Sequence, residues 1–256
     1  MVTYLLKKSY QLKDLKEIEF QDLWGDYGVF TTMWIYNSPP KILFFKEHIQ
    51  NLLNSIKKYK IYKPSIKKDI NKLIKKNIDL NKNYNHLLRV ALNKKIISIS
   101  LRKRFKPKLD FNLKLVKLKR EKPEFKNLKY KEILKYLSKM DNSRSDIGLC
   151  SDKKIFETWT SNIFFVKKNK IYSPPINCYK GVTYKFFKSK IKSVIKKEIL
   201  IKTLSEYDEI ILIGSGKGVA SVKTVDKIKW KRKSLKIFHL LNNHYLKAVK
   251  KYPRYR

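Results

Sequence analysis

The most constraining stretch of the sequence runs from Glu157 to Thr183, where strand, turn, strand, break and helix entry follow one another without a gap. Ile163 to Val166 is a β-branched and aromatic run that fits a pleated surface. Lys167 to Lys170 is a polar turn, after which Ile171 to Ser173 resumes the strand pattern. Pro174 and Pro175 end it, because proline has no N–H for a ladder. Gly181, Val182 and Thr183 then bring the small and hydroxyl residues of a helix start. Read by itself, this is a hairpin leading into a helix, and the chain is mixed α/β.

Glycine is scarce, with seven in 256 residues, and six of them fall in three places. Gly25 and Gly28 sit together, Gly181 opens the helix start, and Gly214, Gly216 and Gly218 form the third group, leaving Gly148 apart. Glycine serves tight turns and close backbone approach to a ligand, so a phosphate held by backbone N–H groups is one reading and ordinary turns the other. Gly214 to Gly218 lacks the spacing and Lys-Ser/Thr ending of a nucleotide phosphate loop.

In chain order, residues 20–36 read as a Gly-Asp-x-Gly loop entering a strand, and Ile42 to Phe45 as its hairpin partner. Helical spacing of Ile49, Leu52, Leu53 and Ile56 predicts a helix from Glu47 to Tyr59, and a second covers 65–77. Leu87 to Leu92 and Ile96 to Leu101 alternate as a hairpin around Asn93–Lys95. The basic, proline-containing stretch Arg102–Lys108 is the candidate linker, giving an N-terminal α/β domain over 1–107 and a second domain over 108–256. Further elements are expected at Asp110–Leu118 (strand), Ile133–Met140 (helix), 183–200 (amphipathic helix) and Tyr207–Ile213 (strand), with one terminal helix from Lys231 onward. His48 reads as an ordinary surface or boundary histidine.

The formal net charge of +40 invites a polyanion reading, since dense cations neutralise phosphates without regard to sequence. The cations are mostly Lys rather than Arg and are scattered through every segment, with no basic arm or nucleic-acid motif. A coding bias toward Lys, Ile and Asn gives the same composition with no function attached, so no specific nucleic-acid partner is expected. Cys150 and Cys178 have neither metal nor redox spacing, and no apolar run approaches the roughly twenty residues of a membrane span. The expectation is a cytoplasmic protein with no membrane partner.

Taken together, Glu157, Ser161-Asn162-Ile163-Phe164, Ser173-Pro174 and Gly181-Val182-Thr183 resemble the signature of the class IV (fold-type IV) pyridoxal-phosphate enzymes. Gly25-Asp26-Tyr27-Gly28-Val29-Phe30-Thr31-Thr32, followed by His48 to Leu52, is similar to the amino-terminal signature of that family's aminodeoxychorismate lyase branch. Pro123, Leu128 and Lys129 match the spacing around the branch's cofactor-binding lysine, and Lys131 is the shifted alternative. Departures are Asn51 and Tyr184 where relatives carry arginines, and Glu132 where the lyases carry an asparagine.

The resemblance implies a two-domain α/β fold like that of D-amino acid aminotransferase, dimeric, with pyridoxal 5'-phosphate in the cleft between domains. It implies that Lys129 binds the cofactor covalently and is the catalytic residue. Glu157 would then face the pyridine nitrogen, and Val182, Thr183 and Ser215 would hold the phosphate. Thr32 and Arg89 are weaker substrate candidates, and no metal is implied. The function implied is conversion of 4-amino-4-deoxychorismate to 4-aminobenzoate and pyruvate, a step toward folate. The alternatives are transamination of branched-chain or D-amino acids, or a degenerate relative that binds polyanions.

Overall fold

The structure is a computed structural model and describes residues 3–255. The chain forms two compact units. The first runs to Arg104 and takes in Phe125–Glu132 and the residues from Tyr252; the second comprises Phe105–Glu124 and Ile133–Lys251.

The first unit is built on β1 (Tyr4–Gln11), β2 (Glu17–Ile18), β3 (Gly28–Asn37), β4 (Lys41–Ile42), β5 (Tyr84–Asn93) and β6 (Ile96–Lys103), with helices α1 (Phe45–Lys58) and α2 (Ile66–Asn77). The strands form one antiparallel sheet in the order β2-β1-β6-β5-β3-β4. Alternation along the strands puts Met33, Ile35, Leu88, Val90, Ile97 and Ile99 into one core with Ile49, Leu52 and Ile56 of α1 and Ile70 and Ile74 of α2. Burying each such side chain contributes roughly 1.5–3 kcal/mol before entropy is counted. The β5–β6 turn is fixed by Asn93 Oδ1, which accepts the N–H groups of Lys95 and Ile96, both at 2.8 Å. His48 is not at the surface: its ring lies in this core and Nδ1 stands 2.8 Å from the Thr31 hydroxyl. The apolar face of α1 includes it because position 48 shares a face with Leu52 one turn on.

The second unit contains β7 (Phe111–Lys117), β8 (Ser145–Ser151), β9 (Lys154–Thr158), β10 (Asn162–Lys167), β11 (Lys170–Ser173), β12 (Ile195–Lys196), β13 (Ile199–Leu200), β14 (Glu209–Gly214), β15 (Gly218–Val225) and β16 (Ile228–Lys231). Its helices are α4 (Val182–Lys190) and α5 (Lys236–Lys251), while α3 (Lys131–Leu137) begins in the first unit. The sheet order is β12-β11-β10-β14-β15-β7-β8-β9-β13, with β16 beside β15 and β7 parallel to both neighbours.

Two expected helices are shorter than their sequence pattern. The helix expected over 183–200 stops at Lys190, because Ile195 pairs with Tyr172 of β11 and Ile199 with Ile155 of β9. Tertiary pairing overrides helical spacing there. The terminal helix starts at Lys236 rather than Lys231, since Trp230 is spent on β16 with its indole N–H donating to the Tyr207 carbonyl at 3.0 Å. It ends at Lys251, two residues before Pro253. Arg256, the last residue of the expected helix, lies outside the described residues.

Candidate active site

Glu157 sits near the end of β9 and is 4% exposed, so it is no surface carboxylate. Its Oε1 accepts a hydrogen bond from Arg120 Nε at 2.7 Å and its Oε2 one from the Tyr179 N–H at 3.0 Å. Arg120 also donates through Nη2 to the Pro123 carbonyl at 2.6 Å, which fixes the guanidinium from its other side. Charge-assisted bonds of this kind fix a buried carboxylate in one orientation. Cys178 lies close enough to feel that charge. Burial first, and then the Glu157 carboxylate, push its thiol up to about 11.

Asn162 and α4 build the second part of the site. Gly181 is the N-cap, its N–H donating to Asn162 Oδ1 at 3.0 Å, and a Cβ there would stand 3.2 Å from the same oxygen. Val182 and Thr183 begin the helix, where first-turn N–H groups have no intrahelical acceptor and carry the positive end of the macrodipole. The Thr183 hydroxyl is 3.5 Å from that of Ser215, which occupies the turn between β14 and β15. The structure thus brings Thr183, next to Val182 in the first turn of α4, together with Ser215 across 32 residues of sequence. Tyr184 is buried, and Lys196 Nζ contacts its hydroxyl and lies 4.5 Å from its ring centre.

The Lys129 segment belongs to the first unit and lies along the start of β3. Phe30 N–H donates to the Lys126 carbonyl and Leu128 N–H to that of Gly28, both at 3.0 Å, while Gly25 N–H reaches the Leu128 carbonyl at 2.8 Å. Leu128 and Tyr130 are buried on either side of Lys129, whose side chain is exposed and whose N–H donates to Asn127 Oδ1 at 3.1 Å. The alternative, Lys131, is also exposed. Its aliphatic chain fills the space a Gly25 Cβ would need, so it lies folded across that glycine.

Around this segment Tyr130 packs on Trp24 and edge-on against Phe30. Arg89 stacks over Trp24 with Cζ 4.3 Å from the ring centre. Arg89 is buried and salt-bridged: its Nη2 donates to the Asp22 carboxylate at 2.5 Å and to the Asp22 carbonyl at 2.6 Å, while its buried Nε has no hydrogen-bond partner. Thr32 stands opposite Arg89 in the β3–β5 register, half-buried on the same face. Asn51 is half-buried on α1, its carbonyl accepting the Ser55 hydroxyl at 3.0 Å.

Sequence reasoning passed over Arg120, Asp146 and Lys217. Asp146 is fully buried on β8 and lies 3.3 Å from Lys217 Nζ. Two of the three are cations hidden among 61 lysines and arginines, and nothing local separates them from the rest. The one signal was slight: Asp146 stands at the head of an apolar run, Ile147-Gly148-Leu149-Cys150, where an unpaired buried carboxylate would be costly.

Two sheets of this order, with a buried carboxylate strand leading to a helix N-terminus, define a mixed α/β protein of fold-type IV. Residues 28–225 match the amino-transferase class IV family, and the chain belongs to that family. No curated protein sequence matches the chain. Among solved structures, it is similar to the branched-chain aminotransferase of Thermoproteus uzoniensis, with TM-score 0.76, 16% identity and 95% of each chain covered. It is also similar to a T.th. branched-chain amino acid aminotransferase complexed with N-(5'-phosphopyridoxyl)-L-glutamate, with TM-score 0.73, 16% identity, and 97% of this chain and 96% of that one covered. A candidate 4-amino-4-deoxychorismate lyase from Legionella pneumophila has TM-score 0.67 at 20% identity, covering 85% of this chain and 91% of its own. At these identities the likeness shows the fold.

Proposed function

We propose that this protein is a pyridoxal-phosphate-dependent lyase that converts 4-amino-4-deoxychorismate to 4-aminobenzoate and pyruvate. The observation that carries the cofactor reading is the pairing, within one unit, of a buried carboxylate with an anion cup. Glu157 is clamped by Arg120 and the Tyr179 N–H, and the Thr183 and Ser215 hydroxyls stand 3.5 Å apart beside a helix N-terminus. The donors fit a phosphate monoester, and the carboxylate fits a protonated ring nitrogen. Asn51 is the misfit: without a guanidinium there, the phosphate forgoes a charged bond worth roughly 1.5–3 kcal/mol.

When bound, pyridoxal phosphate supplies a ring that accepts the electron pair released at the substrate carbon beside its amine. Glu157 holds the ring-nitrogen proton, and Arg120 keeps that carboxylate aimed. Backbone N–H groups of Val182 and Thr183, with the two hydroxyls, bind the phosphate. Lys129, pinned by Leu128 and Tyr130, anchors the cofactor and moves the proton at Nζ. Thr32 and Arg89 bind the substrate, with the Arg89 guanidinium held between Asp22 and the Trp24 ring. Phe30-Thr31-Thr32 and the Leu128-Lys129 context support the lyase over the runner-up, transamination of branched-chain or D-amino acids.

Incubation with 4-amino-4-deoxychorismate is expected to yield 4-aminobenzoate and pyruvate in equal amounts. Turnover of an amino acid with a 2-oxo acid in its place would establish the runner-up. We also read the protein as a cytoplasmic homodimer. Free Cys150 and Cys178 support a reducing compartment, and among the described residues no helix is long and apolar enough to cross a membrane. Sedimentation at micromolar concentration tests the dimer. A degenerate, polyanion-binding relative would instead show no cofactor band and a steep salt dependence on heparin.

A further inference from the structure

The buried pair Asp146–Lys217 stands outside the roles assigned so far. Asp146 Oδ2 accepts hydrogen bonds from the hydroxyls of Thr158 at 2.8 Å and Thr160 at 2.9 Å, and Oδ1 accepts the Ile147 N–H at 2.8 Å. Lys217 Nζ lies 3.3 Å from Oδ2 and donates to Thr160 Oγ1 at 2.9 Å. One carboxylate therefore joins three segments: β8, the turn that follows Glu157, and the turn that carries Ser215. Those two turns also touch directly, since a Cβ on Gly214 would meet Ser161 Oγ at 3.0 Å and the Thr160 carbonyl at 3.1 Å.

A lysine in a surface turn ordinarily sends its ammonium to water, and this chain does so with most of its lysines. Lys217 instead has a side chain only 8% exposed, directed at an acid that is wholly buried. Ion pairs in such places add little net stability, because desolvation offsets the attraction. What the pair supplies is a fixed position for the turn, directional on both sides.

We propose that Lys217 is a positioning residue. Its bond to Asp146 and Thr160 holds the Ser215 turn against the Glu157 hairpin, so that the Ser215 and Thr183 hydroxyls grip the cofactor's phosphate together. This rests on the cofactor reading above.

The test compares two ligands followed by visible absorption: pyridoxal 5'-phosphate, and pyridoxal, which has no phosphate. The double variant Asp146→Asn/Lys217→Met leaves no lone buried charge. It is expected to bind the phosphorylated ligand about tenfold more weakly, as for one lost hydrogen bond to a charged group, while pyridoxal binds as in wild type. Lys217→Arg is expected to recover most of that ratio. Thr160→Val removes the hydroxyl both charges share without isolating either, and is expected to lower the ratio in the same direction should the double variant not fold. An unchanged ratio, or equal loss for both ligands, overturns the proposal while leaving the cofactor reading intact. No band in wild type overturns both.

Discussion

Arg120 Nε and Glu157 Oε1 stand 2.7 Å apart, with the two side chains 3% and 5% exposed. Removing the guanidinium strands a carboxylate away from water, the costly way to break a buried pair. Arg120→Leu is expected to lower the unfolding free energy by about 3–5 kcal/mol in urea titrations. A loss under about 1 kcal/mol, typical of exposed pairs, would contradict the burial described.

His48 gives the fold a specific sensitivity to acid. Burial first, and then the charge of Lys126, lower its pKa from 6.5 to about 3. Below pH 6.5 the unfolded chain takes up a proton that the folded chain refuses, so stability is complete above that pH and falls as the pH drops toward 3. The slope from this one group is about 1.4 kcal/mol per pH unit. His48→Gln is expected to flatten the fall between pH 6 and 5 by about that amount; equal slopes in the two proteins would sink the assignment.

Gly25 adopts φ +96°, a conformation that L side chains rarely take, and Lys131 lies across it. Gly25→Ala is expected to cost about 1 kcal/mol or more through the backbone. Because the Lys131 methylenes can swing aside, the same substitution in a Lys131→Ala background should cost nearly as much. Full relief in that background would place the cost in the contact instead.

Cys178 should be a poor nucleophile. With its thiol pushed up to about 11, chiefly by burial, alkylation at pH 8 is expected to be far slower than for an exposed cysteine. Glu157→Gln should speed it only modestly, since burial remains. Peptide mass spectrometry after brief iodoacetamide treatment reads this directly, and rapid labelling of the folded protein would contradict it.

Legibility followed the range of the forces. Helices α1 and α2 could be read because each has a solvent face and a core face, and that leaves a period in the sequence. Strands β3, β5 and β6 are buried along most of their length and could be read from short apolar runs bounded by turn residues. The two-residue strands β12 and β13 could not, for they exist only through partners some 20 to 45 residues away. Likewise the 157–183 stretch announced its hairpin and helix start, while nothing local to Glu157 named its partner 37 residues upstream. The burial of Lys217 and Arg89 depends on which acid or ring the fold places beside each cation, and in a chain this rich in lysine composition conceals such choices.

The proposed role of Lys129 as the anchor of pyridoxal phosphate can be read from one spectrum. The direct measurement is the visible spectrum of the purified protein with added cofactor, before and after borohydride, beside Lys129→Ala and Lys131→Ala. A band that borohydride abolishes is expected in wild type and Lys131→Ala, and none in Lys129→Ala. A band that survives in Lys129→Ala and vanishes in Lys131→Ala would move the anchor two residues, and no band in wild type at saturating cofactor would contradict pyridoxal phosphate binding altogether.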